Sequence, residues 1–199
     1  MTTPNTPIYL DNSATTPLCP EAVEAVQNAI VCYGNPSSLH QMGLTARKTV
    51  EEARKNLLSA LDVRVPTTRR VIFTSCGSEA NNLALFGVLR AKKFRFLPRI
   101  ITTDSEHPSL LEPLRNLEER GEAEVIKLST NGGSLDLNEL SAALNERTVL
   151  VTLMQVNNET GAVYDISAAF RLVKQKFPTT LTHTDLTQGF LKVDLPTAF

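Results

Sequence analysis

From residue 20 onward the chain alternates between two hydrophobic patterns. Segments with apolar residues three and four apart are separated by short continuous apolar runs, the signatures of amphipathic helices and buried strands. "PEAVEAVQNAIV" predicts a helix over 20–31, with Pro at its first position and Val23, Val26 and Ile30 on one side. A long helix is predicted over 44–61, then a strand at "RVIFTS" (70–75) and a helix over 79–93. Next come a strand at "RIITT" (99–103), a helix over 108–119 and a strand at "AEVIKL" (123–128). Helix 137–144, strand "TVLVTLM" (148–154), helix 166–177 and strand 180–184 complete the order. Strands alternating with helices of this length imply βαβ crossovers and a mostly parallel sheet with helices on both faces. Near-continuous apolar runs such as "VLVTLM" fit a strand covered on both sides.

Composition removes several function classes. The chain has 199 residues, 42% hydrophobic and 21% charged, with a net charge of −1. That balance lacks the basic excess of a nucleic-acid binder. No apolar run approaches the roughly 18 residues of a membrane span. The start, "MTTPNTPIYLDNSATTP", carries no basic region followed by an apolar core, so it does not read as a signal peptide. Cys19, Cys32 and Cys76 are odd in number and show no CxxC spacing, which points to a reducing, cytoplasmic setting.

In parallel α/β sheets, ligands bind beyond the carboxyl ends of the strands, so the residues following each strand are the candidates for chemistry. After 70–75 comes "CGSEANN". Gly77 and Ser78 open a helix and read either as a phosphate-binding turn or as a plain Ser cap. After 99–103 comes "DSEHPS", where His107 is either a stacking or acid–base imidazole or a helix-capping loop residue. After 148–154 comes "QVNNETG": Asn157 and Asn158 are either amide donors to a ligand or parts of an Asx turn. After 180–184 come Asp185 and, three residues on, Gln188. A carboxylate at the end of a central strand needs a cation or donor, or else caps the next turn. Taken together, a phosphate cup, a flat imidazole, an amide and a rim carboxylate match pyridoxal 5′-phosphate (PLP). The carboxylate would keep the pyridine nitrogen protonated, so that the ring accepts electrons.

Several segments resemble the cysteine desulfurases of the class V aminotransferase group: "YLDNSATTP" (9–17), "GNPSSLH" (34–40), "FTSCGSEANNLAL" (73–85), "SEH" (105–107), "VNNETG" (156–161) and "HTDLTQ" (183–188). The resemblance implies fold type I, the aspartate aminotransferase-like fold. It divides the chain into an N-terminal arm (1–18) and an incomplete PLP-binding large domain (19–199). It assigns Gly77 and Ser78 to the cofactor phosphate, His107 to ring stacking and proton movement, and Asn158 to cofactor or substrate. Asp185 falls to the ring nitrogen, Gln188 to the ring oxygen, and Ala14 and Thr15 to the substrate entrance. The implied activity converts L-cysteine, or a similar amino acid, to alanine with sulfur held as an enzyme persulfide for a sulfur-acceptor protein. The implied assembly is a homodimer or a pairing with a missing half. The family's Schiff-base lysine, expected about twenty residues beyond Asp185 in a Ser-x-His-Lys context, has no counterpart here, and Lys192 corresponds to a non-catalytic position. None of the three cysteines stands where the family's persulfide cysteine stands, and Cys76 is expected as a small buried side chain. The chain alone is therefore expected to be inactive. A selenocysteine lyase or a non-catalytic partner subunit shares the same motifs.

Overall fold

The computed structural model describes residues 7–62, 69–91, 93–131 and 133–195. The chain falls into two compact units, Met1–Phe73 and Thr74–Phe199.

The first unit carries α1 (Pro20–Ile30) and α2 (Gln41–Ala60). The chain enters α1 from Cys19 with Pro at the first position, where a missing N–H costs nothing. No residue of α1 is buried, so its apolar stripe stays uncovered. Packing concentrates instead at the start of α2. A Cβ on Gly34 would stand 2.4 Å from the Met42 carbonyl oxygen, so only glycine lets the two backbones approach this closely. The expected strand over 70–75 does not form. Residues 71–74 have no ladder partner among the described residues, and Ile72 and Phe73 are exposed. The Val71 carbonyl accepts from Arg54 Nη1, and the Arg54 guanidinium lies 5.0 Å from the Phe73 ring centre. β-branched composition favours an extended backbone but cannot supply a neighbouring strand.

The second unit is the sheet. Four parallel strands, β1 (Arg99–Thr103), β2 (Glu124–Leu128), β3 (Thr148–Thr152) and β4 (Leu181–His183), lie in the order β2-β1-β3-β4. The helices are α3 (Gly77–Arg90), α4 (Pro108–Glu119), α5 (Leu137–Ala143) and α6 (Ile166–Lys176). Ile100, Val125 and Leu150 pack on one face against Leu85 of α3 and Leu114 and Leu117 of α4. Ile101, Leu128 and Val151 pack on the other face with Leu140 of α5 and Ile166, Phe170 and Val173 of α6. The expected parallel sheet with helices on both faces is therefore present. Each crossover returns the chain so that every strand points the same way, which gathers the strand exits along one rim.

Candidate active site

α3 begins two residues earlier than the pattern predicted, so Gly77 and Ser78 lie in its first turn and Cys76 is the cap residue. The N–H groups of that turn have no acceptor within the helix and carry its positive dipole end. Opposite them stands the segment after β4. A cleft of about 380 Å³ is bounded by Gly77, Ala80 and Asn81 on one side and by His183, Thr184, Asp185 and Thr187 on the other. Sequence reading placed Gly77 and Asp185 at one site, and the structure brings both to this cleft.

Asp185 lies two residues beyond β4 and is partly buried. Its Oδ2 accepts from Asn81 Nδ2 at 2.9 Å and its Oδ1 accepts from the Thr187 backbone N–H at 2.9 Å. Burial pushes the carboxyl up, but the donors Asn81 and Thr187 and the nearby His183 outweigh it, so the group sits below its ordinary range. His183 is driven the other way: burial lowers it, opposed by Asp185, and its Nδ1 pairs with Thr152 Oγ1 at 2.8 Å. Asp185 thus faces the cleft as an ionised carboxylate with a neutral imidazole beside it.

Close by, Glu106 is 4% exposed. Its Oε1 accepts from Thr103 Oγ1 and from the Met154 backbone N–H, both at 2.8 Å, while Oε2 has no partner among the described residues. Burial raises this carboxyl to about 7 against the Met154 and Thr103 hydrogen bonds, with the Asp185 charge adding to the rise. Two neighbouring carboxyls are shifted in opposite directions by their surroundings, a separation typical of functional sites.

His107 caps α4: its Nδ1 accepts from the Ser109 backbone N–H at 3.1 Å and lies 2.8 Å from Ser109 Oγ. It does not line the 380 Å³ cleft. A hydrogen-bonded chain through Ser109 and Asn81 connects it to Asp185. Asn157 is buried in an Asx turn: its Oδ1 accepts from the Glu159 and Thr160 N–H groups, and its Nδ2 donates to the Ser105 carbonyl. Asn158 follows, half-buried and away from the cleft lining. Gln188 Oε1 accepts from Lys192 Nζ at 2.9 Å, one turn beyond Asp185. Ala14 and Thr15 belong to the first unit, where their N–H groups close a turn on the Asp11 carbonyl.

The turn that carries Asp185 is anchored from the neighbouring strand exit. The Gln155 N–H donates to the Asp185 carbonyl at 3.1 Å, and its side-chain Nε2 donates to the Asp194 carbonyl at 2.6 Å. A Cβ on Gly189 would stand 2.2 Å from Gln155 Oε1, so with any other residue there the Gln155 side chain must move.

Cys76 corrects the sequence reading. It is exposed, because it caps the open end of α3 rather than packing inside. The Glu79 backbone N–H, then the Ser75 side chain, hold its thiol below the ordinary thiol range. Alkylation of Cys76, followed by peptide mass spectrometry, is therefore expected to show a midpoint below the value for an unstructured cysteine peptide titrated alongside it. A midpoint at or above that value would contradict the cap geometry.

Asn81, Ser109 and Glu106 escaped the sequence reading as site residues. Asn81 stands one helical turn after Gly77 and so shares its face, which was a usable signal.

The chain matches the model of the aminotransferase class-V family over residues 8–197. It belongs to that family. The cysteine desulfurase of Trichormus azollae is 42% identical over 190 residues, covering 94% of this chain and 46% of the relative. The cysteine desulfurase IscS of Proteus mirabilis is 38% identical over 197 residues, covering 95% and 47%. A solved NifS-like protein superimposes with a TM-score of 0.86 at 33% identity, covering 96% of this chain and 52% of that one. The chain thus spans about half the length of the curated relatives it matches. Class-V aminotransferases and cysteine desulfurases depend on PLP, and the structural neighbours have fold type I, in agreement with the parallel sheet found here. Among the described residues no helix is long and apolar enough to cross a membrane.

Proposed function

We propose that the chain supplies the cofactor-binding part of a PLP-dependent cysteine desulfurase, with residues 19–199 forming part of the large domain. The observation that carries this reading is the pairing across one cleft of a helix N-terminus, at Gly77, with an ionised carboxylate, at Asp185. The donor set fits the cofactor: free N–H groups suit a phosphate and a carboxylate suits a protonated ring nitrogen. When bound, PLP supplies an electron sink for the bonds around an amino acid's α-carbon. The chain's own residues bind and orient. Gly77 and Ser78 would present N–H groups to the phosphate, and Asp185 would hold a proton on the ring nitrogen. Gln188 would serve the ring oxygen, His107 would stack on the ring, and Asn158 would contact cofactor or substrate. In the complete protein the substrate is L-cysteine, the products are alanine and a persulfide sulfur passed to an acceptor protein, and the assembly is a homodimer.

The test is a spectral titration of the full chain with PLP, with pyridoxal lacking the phosphate as control. Reversible PLP binding that weakens strongly without the phosphate is expected. Equal binding of the two compounds would remove the phosphate role of Gly77 and Ser78. A pyridoxyl adduct on a lysine after borohydride treatment would show a covalent site that the motifs do not provide.

A further inference from the structure

We infer that Asn81 and Ser109 form a positioning relay that ties the Asp185 carboxylate to His107 and keeps the proton of the neutral His107 ring on Nε2, so that Nε2 is a hydrogen-bond donor. Only the consequence at the cofactor rests on the PLP reading.

The direction of each hydrogen bond follows from the groups. An ionised carboxylate only accepts, so Asn81 must turn its NH₂ toward Asp185 Oδ2, 2.9 Å away. The second hydrogen of the same NH₂ then points to Ser109 Oγ, also at 2.9 Å. Ser109 Oγ therefore accepts from Asn81, and its own hydrogen is left to donate to His107 Nδ1 at 2.8 Å. The Ser109 backbone N–H can only donate, and it reaches the same Nδ1 at 3.1 Å. Two donors converge on one ring nitrogen, so that nitrogen carries the lone pair and the proton of the neutral ring sits on Nε2.

The geometry that holds Ser109 is itself built from sequence. Pro113, four residues on in α4, has no N–H, so the Ser109 carbonyl lacks its ordinary helical donor. Asn82 Nδ2 reaches across from α3 to that carbonyl at 3.3 Å. Adjacent asparagines of α3 thus fix both polar ends of Ser109. Asn81 is 5% exposed and its one NH₂ bridges two groups, Ser109 Oγ and Asp185 Oδ2, which exceeds what a packing role requires.

The consequence is directional. With the proton on Nε2, the Nδ1 lone pair is occupied by the two Ser109 donors. Toward anything lying over it, His107 offers an N–H.

The test uses the full chain labelled with ¹⁵N-histidine, which contains only His40, His107 and His183. Long-range ¹⁵N–¹H correlation reports the tautomer, and His107→Gln assigns the signal. The Nε2–H form is expected to dominate. Ser109→Ala removes one donor and should raise the Nδ1–H population roughly five-fold, while the backbone N–H still holds part of the preference. Asn81→Leu, at a residue that does not touch His107, should move the population the same way, and Ser109→Thr should restore it. A dominant Nδ1–H form in the wild type, or unchanged populations in both Ser109→Ala and Asn81→Leu, would overturn the relay. PLP titration of the same samples separates the two readings: the tautomer is measured without cofactor, so loss of PLP binding alone leaves the relay standing.

Discussion

Replacing Glu106 with glutamine is expected to stabilise the protein at pH 8 and to flatten its stability between pH 5 and 8. Glu106 is buried, shares its surroundings with the Asp185 charge, and leaves Oε2 without a partner among the described residues. Burial, as the largest cause, moves its carboxyl from 4.5 to about 7 in the folded protein. The sign follows from proton linkage. Between those values the folded state binds more protons than the unfolded chain, so stability falls as pH rises through this window and levels off above about 7. At 1.36 kcal/mol per unit the full loss is about 3 kcal/mol, an upper limit on what removing the charge restores. Glutamine keeps an oxygen for the Thr103 and Met154 donors but leaves its NH₂ in the unpartnered position, so a gain of about 1–2 kcal/mol at pH 8 is expected. Urea midpoints at pH 5 and pH 8 check this. Parallel pH dependence in wild type and Glu106→Gln would remove the assignment.

Replacing Asp185 with alanine is expected to weaken PLP binding by about 10- to 100-fold, the effect of losing a charge-assisted pair of roughly 1.5–3 kcal/mol. The substitution also strands the donors of Asn81 and the Thr187 N–H. Asp185→Asn separates the effects, because it keeps an acceptor oxygen and approximate shape while removing the charge. Its binding should fall nearly as far as that of alanine. The carboxyl lies below its ordinary range: burial raises it, and Asn81, Thr187 and His183 more than offset that rise. Its charge, and the stability it contributes, are therefore present above the ordinary carboxylate range and lost only as pH falls below it. Wild-type affinity should show no Asp185-dependent step between pH 5 and 8. Wild-type affinity in Asp185→Asn would remove the ring-nitrogen role.

How much of this was legible in the sequence depends on whether the cause was local. Strand Arg99–Thr103 and helix Pro108–Glu119 have the predicted bounds, because a continuous apolar run and a Pro-led amphipathic pattern act within the segment itself. The run at 70–75 read as a strand but has no ladder partner among the described residues, and pairing is not a local property. Asp185 could be placed at the rim because parallel topology sends every strand exit there, whereas Gly77 reaches the same cleft from the start of α3, with no strand before it among the described residues. The roles of Asn81 and Ser109 could not be read, because they depend on contacts that join α3 to α4 and to the segment after β4. Asn157 shows the opposite limit: its polarity marked a site, yet its side chain is spent on its own turn.

The anchoring of the 185–194 segment by Gln155 has a consequence for tolerance to change. β4 is only three residues long and gives little purchase of its own. The coordinates of the carboxylate are inherited from the exit of β3, through the Gln155 N–H and the amide that Gly189 lets the chain fold over. Conservative replacements in Leu181 or Thr182 should leave Asp185 in place, whereas a side chain at Gly189 would displace the Gln155 amide from the Asp194 carbonyl and loosen the anchor from a distance.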